Sequence, residues 1–117
     1  MSVEIKNEMG RIVMTEDLVA SIAGYAAGEN YGIVGMSSKK ASDALIEFIK
    51  KDNLKRGIKV TSTGVGEVDI DLYVTLEYGV SLPAVAQNAR DNVRYRVHEL
   101  TGLTVRNVNI FVEGIRV

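Results

Sequence analysis

Three carboxylates at alternating positions are the residues whose types first suggest chemistry. Glu67, Asp69 and Asp71 alternate with the apolar residues Val68, Ile70 and Leu72, and the alternation continues along 68–78. This period places them on one face of a β-strand, where a carboxylate row could hold a hard cation. However, no further ligand clusters nearby in the sequence, and an open strand face offers no pocket for paired acid–base chemistry. We therefore interpret the row as the solvated face of a half-buried strand and expect no metal site.

The other candidates for chemistry are isolated. His98 is the only histidine and the chain has no cysteine, which argues against a zinc site, disulfides and thiolate nucleophiles. No Gly-x-Ser-x-Gly elbow is present to position a serine nucleophile. The pair Gly64 and Gly66 begins like a dinucleotide-binding loop but lacks the third glycine and the following helix. The residues therefore identify no catalytic centre and no cofactor site, and an enzyme that uses Glu67, Asp69 and Asp71 with a metal is the least favoured function.

A glycine motif leaves one other class of function open. The run Gly32-Ile33-Val34-Gly35 matches the Gly-x-x-Gly loop of KH-type RNA-binding domains. Its central residues are apolar, and the net charge of −1 provides no overall attraction for nucleic acid. The basic residues Arg90, Arg94 and Arg96, together with Arg106 in the last strand, could form a local anion-binding patch, although a solvated helix face explains the first two equally well. A KH-like RNA-binding module remains the alternative function, although the composition argues against nucleic acid as a partner.

Periodicity identifies the elements that would position these residues. Thr15 is an N-cap for a first helix that ends near 28–30, and Ser81, with Pro83 in the first turn, caps a helix that ends at Thr101 and Gly102. The apolar stripes of these helices are Leu18, Val19, Ile22, Ala23, Ala26 and Ala27, and Leu82, Val85, Ala86, Ala89, Val93, Val97 and Leu100. A further helix is expected within 37–56.

The strands complete a compact fold prediction. A short extended start is broken near Gly10, and the strand over 68–78 forms a hairpin with the one beginning at Ile58. The last strand slips phase at Arg106, which indicates a β-bulge. We expect one α+β domain over residues 1–117, with two layers and a mostly antiparallel or mixed sheet with helices packed on one face. The chain shows no secretory signal and no membrane-spanning apolar run, so we expect no direct membrane insertion, and any link to a membrane must come through a partner.

Two aromatic residues suggest an interface. Tyr73 and Phe111 fall on strand faces opposite the core stripe. If their strands are neighbours, Tyr73, Thr75 and Phe111 form an apolar patch on an otherwise polar sheet surface. Such patches mark interfaces more often than active sites, although scattered surface aromatics are an equally good explanation.

Three stretches, covering nearly the whole chain together, have a recognisable pattern. They are Gly10 to Val19 followed by Ile22-Ala23 and Ala26-Ala27; Tyr31 to Met36; and Asp71 to Asn88 with Thr101 to Leu103 and Val108 to Ile110. This pattern resembles the alkaline-shock, or envelope-stress-response, protein family of Gram-positive bacteria, in particular its small YloU-like members.

The resemblance implies a non-enzymatic cytoplasmic protein of cell-envelope stress response and homeostasis. Some members of that family are held at the membrane by a separate anchor protein, and others are encoded beside genes of fatty-acid metabolism. The resemblance therefore implies an adaptor or regulator. Together with the face formed by Tyr73 and Phe111, it leads us to expect that the protein forms homo-oligomers and binds a membrane-anchor protein. No catalytic residues are established for the family, so none are carried over.

Overall fold

The computed structural model describes residues 2–35 and 57–117, and these form two layers. Two helices pack on one face of a mixed four-stranded sheet, and a separate two-stranded hairpin precedes the first helix. The predicted α+β class is confirmed. The helix predicted within 37–56 lies outside the described residues.

The N-terminal hairpin forms where an extended start was expected. Strands β1 (Ser2–Asn7) and β2 (Gly10–Thr15) pair in antiparallel register. Val3 and Met14 are partners in this register and are both buried. The carbonyl of Glu4 accepts a hydrogen bond of 2.8 Å from the Gly66 N–H, which joins the hairpin to a turn of the main sheet.

Helix α1 (Glu16–Gly28) begins and ends as predicted. Thr15 Oγ1 accepts a hydrogen bond from the Leu18 N–H at 3.1 Å, and this cap satisfies one of the unpaired donors of the first turn. The buried side of the helix consists mainly of alanine and glycine, which allows a second helix to come close. Asn92 of that helix donates its amide N–H to the Ala26 carbonyl at 2.8 Å.

The main sheet is built around one long strand. This strand, β5 (Glu67–Glu77), pairs along one edge with β6 (Thr104–Arg116), which is parallel to it. Two antiparallel strands share its other edge: β4 (Ile58–Gly64) and the short β3 (Ile33–Gly35). The predicted hairpin of β4 and β5 is therefore confirmed.

Strands β3 and β4 lie end to end along β5. Gly35 is the register partner of Thr75, and Ile58 is the register partner of Leu72. The end of β3 and the start of β4 thus lie beside positions of β5 that are three residues apart. The sheet is mixed because β6 follows a helical crossover, which permits parallel pairing, whereas β4 is joined to β5 by a tight turn.

Helix α2 (Leu82–Thr101) has the predicted signals at both ends. Ser81 Oγ accepts from the Ala84 N–H at 3.4 Å, Pro83 lies in the first turn, and Gly102 ends the helix at φ +78°. A left-handed residue at this position favours glycine. The helices cover the apolar face of β5, whose buried residues are Val68, Ile70, Leu72, Val74 and Leu76.

The predicted helix stripes are wrong at their ends. Leu18, Leu82 and Leu100 were expected in the core, but their exposed fractions are 48%, 41% and 65%. The middle of each stripe is buried as expected, including Ala23 and Val93. Helical spacing identifies the side that faces the sheet, but it does not show where a helix extends beyond the surface that it covers.

Candidate functional site

The sheet face opposite the helices brings the predicted aromatic residues together. Tyr73 and Phe111 are register partners on β5 and β6, and their rings stack with centroids 4.8 Å apart and planes 13° from parallel. Phe111 is 45% exposed and Tyr73 is half-buried. The predicted neighbourhood is therefore present, and we name Tyr73, Thr75 and Phe111 the aromatic patch.

Thr75 differs from the other two members of the patch. It is only 5% exposed, and its Oγ1 has no hydrogen-bond partner in the part of the chain that the structure describes. Its register partner on β6 is Gly114, which has no side chain to offer a polar group. Thr75 therefore underlies the patch, and the accessible surface is provided by the two rings.

Two polar ladders lie beside the aromatic rings on the same face. Asn107 donates its amide N–H to Asp69 at 3.2 Å, and Asn109 donates to Asp71 at 2.9 Å. These bonds between neighbouring strands use carboxylate oxygens that a cation would need. Within the described ranges, no three acidic or histidine side chains are grouped so that they could hold a metal ion. Asp69 and Asp71 thus form a cross-linked polar border for the patch.

The arginines considered for an anion site are divided between two surfaces. Arg94 donates to the carbonyl of Arg106 at 3.2 Å, beside β6. Arg96 instead faces α1, where it lies 3.8 Å from Glu29 and 3.3 Å from Glu99. Since these side chains do not converge, the structure favours solvated surfaces over a common anion-binding patch.

Two titratable side chains of α2 make local contacts. His98 Nδ1 lies 3.0 Å from the carbonyl of Leu103, close to the helix end where a histidine was expected. Tyr95 donates its hydroxyl proton to Glu99 at 2.7 Å, and this hydrogen bond together with the charge of Glu99 raises the pKa of Tyr95 above 10.0. Both contacts stabilise the local helix conformation.

The Gly-x-x-Gly run begins in a turn at Gly32 and continues as strand β3. Ile33 is buried and pairs with Leu76, and the Gly32 carbonyl accepts a hydrogen bond from the Glu77 N–H at 2.9 Å. A Cβ atom at Gly32 would lie 2.9 Å from Cγ2 of Val85. A KH loop presents its backbone to a nucleic acid, whereas Gly32 and Ile33 face the protein interior. The structure thus favours the interpretation of this run as a buried turn and short strand.

An apolar groove between the helices was not predicted. It has a volume of about 500 Å³ and lies between α1 and α2, where Ile22, Tyr25 and Leu100 provide its apolar lining and Glu29 and Arg96 its charged rim. Sequence periodicity assigned Ile22 and Leu100 to the core, so the groove had no separate signal. Tyr25, which falls outside the predicted stripe, was the available indication of a second apolar surface.

These features define a small two-layer α+β protein whose exposed aromatic pair lies on the sheet face opposite the two described helices. The chain belongs to the alkaline shock protein family, which has a cell envelope-related function, and the match to the family covers residues 4–117. The expected family membership is therefore confirmed. No helix among the described residues is long and apolar enough to cross a membrane.

Individual relatives agree with this membership. The chain is 41% identical over 118 aligned residues to the protein YloU of Bacillus subtilis, covering 100% of this chain and 98% of YloU. It is 22% identical to a stress response regulator gls24 homolog of Streptococcus pyogenes, covering 92% of this chain and 59% of that protein. A protein of Staphylococcus epidermidis named as an oxidoreductase is 27% identical, covering 91% of this chain but 44% of that protein. No solved structure matches the chain significantly.

Proposed function

We propose that this chain is a non-enzymatic adaptor or regulator of cell-envelope homeostasis that binds other proteins, including copies of itself, through the aromatic patch. The family's cell envelope-related function supports the setting, and the name of the gls24 homolog supports a link to stress regulation. The observation that carries the proposal is the exposed stack of Tyr73 on Phe111. Membership of the family supports no particular enzymatic activity.

The aromatic pair has the physical properties of a binding surface. Aromatic residues are enriched at protein interfaces because a large apolar area is buried by a side chain with few rotatable bonds. Stacking with an interplanar angle of 13° further restricts both rings before a partner arrives. Less conformational entropy is then lost on association. The neighbouring ladders of Asp69 with Asn107 and Asp71 with Asn109 supply a polar rim with satisfied hydrogen bonds.

The location and partners in the cell form the second part of the proposal. Following the family resemblance, we place the protein in the cytoplasm, where a separate membrane-anchor protein would connect it to the envelope. A regulatory role in fatty-acid metabolism is one setting in which such an adaptor would act. Both roles require only that the chain binds another protein, and neither requires it to bind a small-molecule ligand.

Replacing both rings tests the proposal. We expect the double variant Tyr73→Ser/Phe111→Ser to remain folded, since both side chains lie on the face opposite the core, and to show reduced self-association in sedimentation velocity. Fewer proteins should co-purify with this variant from the native host than with the wild-type chain. A matched control is Tyr31→Ser/Tyr78→Ser, which removes two aromatic rings that are 83% and 71% exposed away from the patch.

The control separates recognition from general surface hydrophobicity. Loss of association and of co-purified partners in the patch variant alone would support the proposal. Equal retention of partners by both variants, with folding verified by circular dichroism, would refute the patch as the binding surface. Equal loss in both would show that exposed apolar area rather than this site drives association.

A further inference from the structure

The outer edge of β6 has the properties of a self-complementary pairing surface. Strand β6 spans Thr104–Arg116 and pairs with β5 along one edge only. No strand pairs with its other edge within residues 2–35 and 57–117. An unpaired edge presents backbone donors and acceptors that can pair with another chain. We infer that two copies of this protein associate by antiparallel pairing of their β6 strands about a two-fold axis through Ile110.

The alternation of side chains restricts the possible register. Directly opposed residues of an antiparallel pair point to the same face of the sheet, so the axis of a symmetric pair must pass through a residue. An axis at Ile110 places Ile110 against itself and Val108 against Val112 of the second copy. All these residues lie on the helix-covered side, and Val112, 39% exposed in the single copy, would gain an apolar neighbour. An axis at Asn109 would instead place Val112 opposite Arg106.

Charges at the ends of the regular stretch favour the antiparallel orientation. Arg106 and Glu113 are the extra residues at the two register shifts of β6, and both are exposed. Neither side chain forms an ion pair within the described part of the chain. With the axis at Ile110, Arg106 lies one residue step from Glu113 of the second copy, and the symmetry produces this contact twice. Parallel pairing in register would place like charges together, which is unfavourable.

The helices are compatible with this arrangement. A two-fold axis perpendicular to the sheet keeps both α2 helices on the same side. The α2 residues beside β6 carry charges of both signs, namely Arg90, Asp91 and Arg94, and they line hollows next to the strand. The surfaces that would approach each other above the paired strands therefore have no single-sign repulsive field.

Pairing would combine two aromatic patches into one surface. Phe111 would lie opposite Asn109 of the second copy and diagonal to Phe111 of that copy, at about 7–8 Å in an antiparallel ladder. The two stacked Tyr73–Phe111 pairs would then form a continuous apolar stripe across the axis. This inference rests on the self-association in the proposed function and adds a second contact to it: edge pairing joins two copies, and the combined aromatic surface then binds further copies or another protein. A dimer of this kind would present its partner with twice the area of one patch.

Charge reversal provides the test. We expect the wild-type protein to dimerise reversibly in sedimentation equilibrium at low salt, and either Arg106→Glu or Glu113→Arg to raise the dimer dissociation constant about tenfold, since each reversal affects two symmetry-related exposed pairs. The double reversal Arg106→Glu/Glu113→Arg should restore dissociation to within about twofold of wild type. Thermal melts monitor folding of each variant.

Disulfide trapping provides an independent readout of register. The chain has no cysteine, so Ile110→Cys introduces a single thiol that would meet its own symmetry mate across the axis, within the range of Cα separation that a disulfide allows. Mild oxidation should yield a covalent dimer. Thr61→Cys, on the exposed face of β4, is the control and should remain monomeric on a denaturing gel.

Each outcome supports or overturns the inference. Weakening by both single reversals with recovery in the double variant would support it. Dimerisation that is unchanged by the charge reversals but is abolished by Tyr73→Ser/Phe111→Ser would overturn edge pairing, although it would still support the aromatic patch as the binding face. A wild-type protein that stays monomeric up to millimolar concentration would also overturn it, and co-purification would still test the patch. Capture of a strand from another protein at this edge, without self-pairing, would equally contradict the inference.

Discussion

Gly32 provides the sharpest test of whether the start of the Gly-x-x-Gly run is packed in the protein interior. Its φ of +95° lies in the left-handed region, and a Cβ atom there would be 2.9 Å from Cγ2 of Val85 and 3.3 Å from Cγ1 of Val80. Gly79 has the same φ of +95°, but a Cβ atom added to it would meet no atom within 4 Å. The two glycines thus share the backbone cost of an alanine substitution and differ in the space available.

The expected effects follow from these two costs. A left-handed conformation costs a non-glycine residue about 1–2 kcal/mol, so Gly79→Ala should lower the free energy of unfolding by about that amount. Overpacking a well-packed core costs about 1–3 kcal/mol more. Gly32→Ala should therefore lower the free energy of unfolding by about 2–5 kcal/mol.

Urea unfolding followed by circular dichroism measures both values. Val85→Ala removes the atom that the new methyl group meets, so the double variant Gly32→Ala/Val85→Ala should be more stable than the sum of the single effects by about 1–2 kcal/mol. Equal destabilisation by Gly32→Ala and Gly79→Ala, with no coupling to Val85, would refute the packing argument. It would also reopen an exposed role for this segment.

Three further substitutions test local features. Thr15→Ala removes the cap of α1 and should lower the free energy of unfolding by about 1 kcal/mol in urea titrations, with an unchanged value contradicting the capping role. Thr75→Val replaces a buried hydroxyl that has no partner among the described residues and should raise the free energy of unfolding by about 1 kcal/mol; destabilisation would indicate a hydrogen bond to that hydroxyl. Tyr95→Phe should remove the phenol that titrates above 10.0 in ultraviolet absorbance. The pKa of Tyr95 is raised in the folded state, so its contribution to stability is present below the unfolded pKa of 10.0 and is lost as the pH rises through the folded pKa. The difference in the free energy of unfolding between the wild-type protein and Tyr95→Phe should therefore shrink as the pH rises, and a difference that grows with pH would contradict the raised pKa.

Local signals in the sequence were sufficient to predict where the two described helices begin and end. Thr15 and Ser81 cap the helices, and Gly102 ends α2, because each role depends on the chemistry of one turn of backbone. The bulge at Arg106 was predicted because the apolar alternation changes phase there. The second bulge at Glu113 was missed since Gly114 interrupts the alternation and hides the change.

Properties that depend on tertiary placement were less accessible. Leu100 satisfies the helical stripe but lies where α2 extends past its covering surface, so it lines a groove instead of the core. The stacking of Tyr73 on Phe111 could be stated only on the condition that β5 and β6 are neighbours, because strand pairing over 38 residues leaves no local trace. Whether that face binds a protein stays a prediction.

The end-to-end placement of β3 and β4 has a consequence for evolution and engineering. Since Gly35 and Ile58 meet β5 at Thr75 and Leu72, these two strand ends lie three residue steps apart along β5, about 10 Å. Joining two such fixed points by a longer flexible connection adds little entropic cost, about 0.6 kcal/mol per doubling of its length. Residues added between these two strand ends should therefore leave the framework unchanged, and an experimenter could place an epitope or a reporter there.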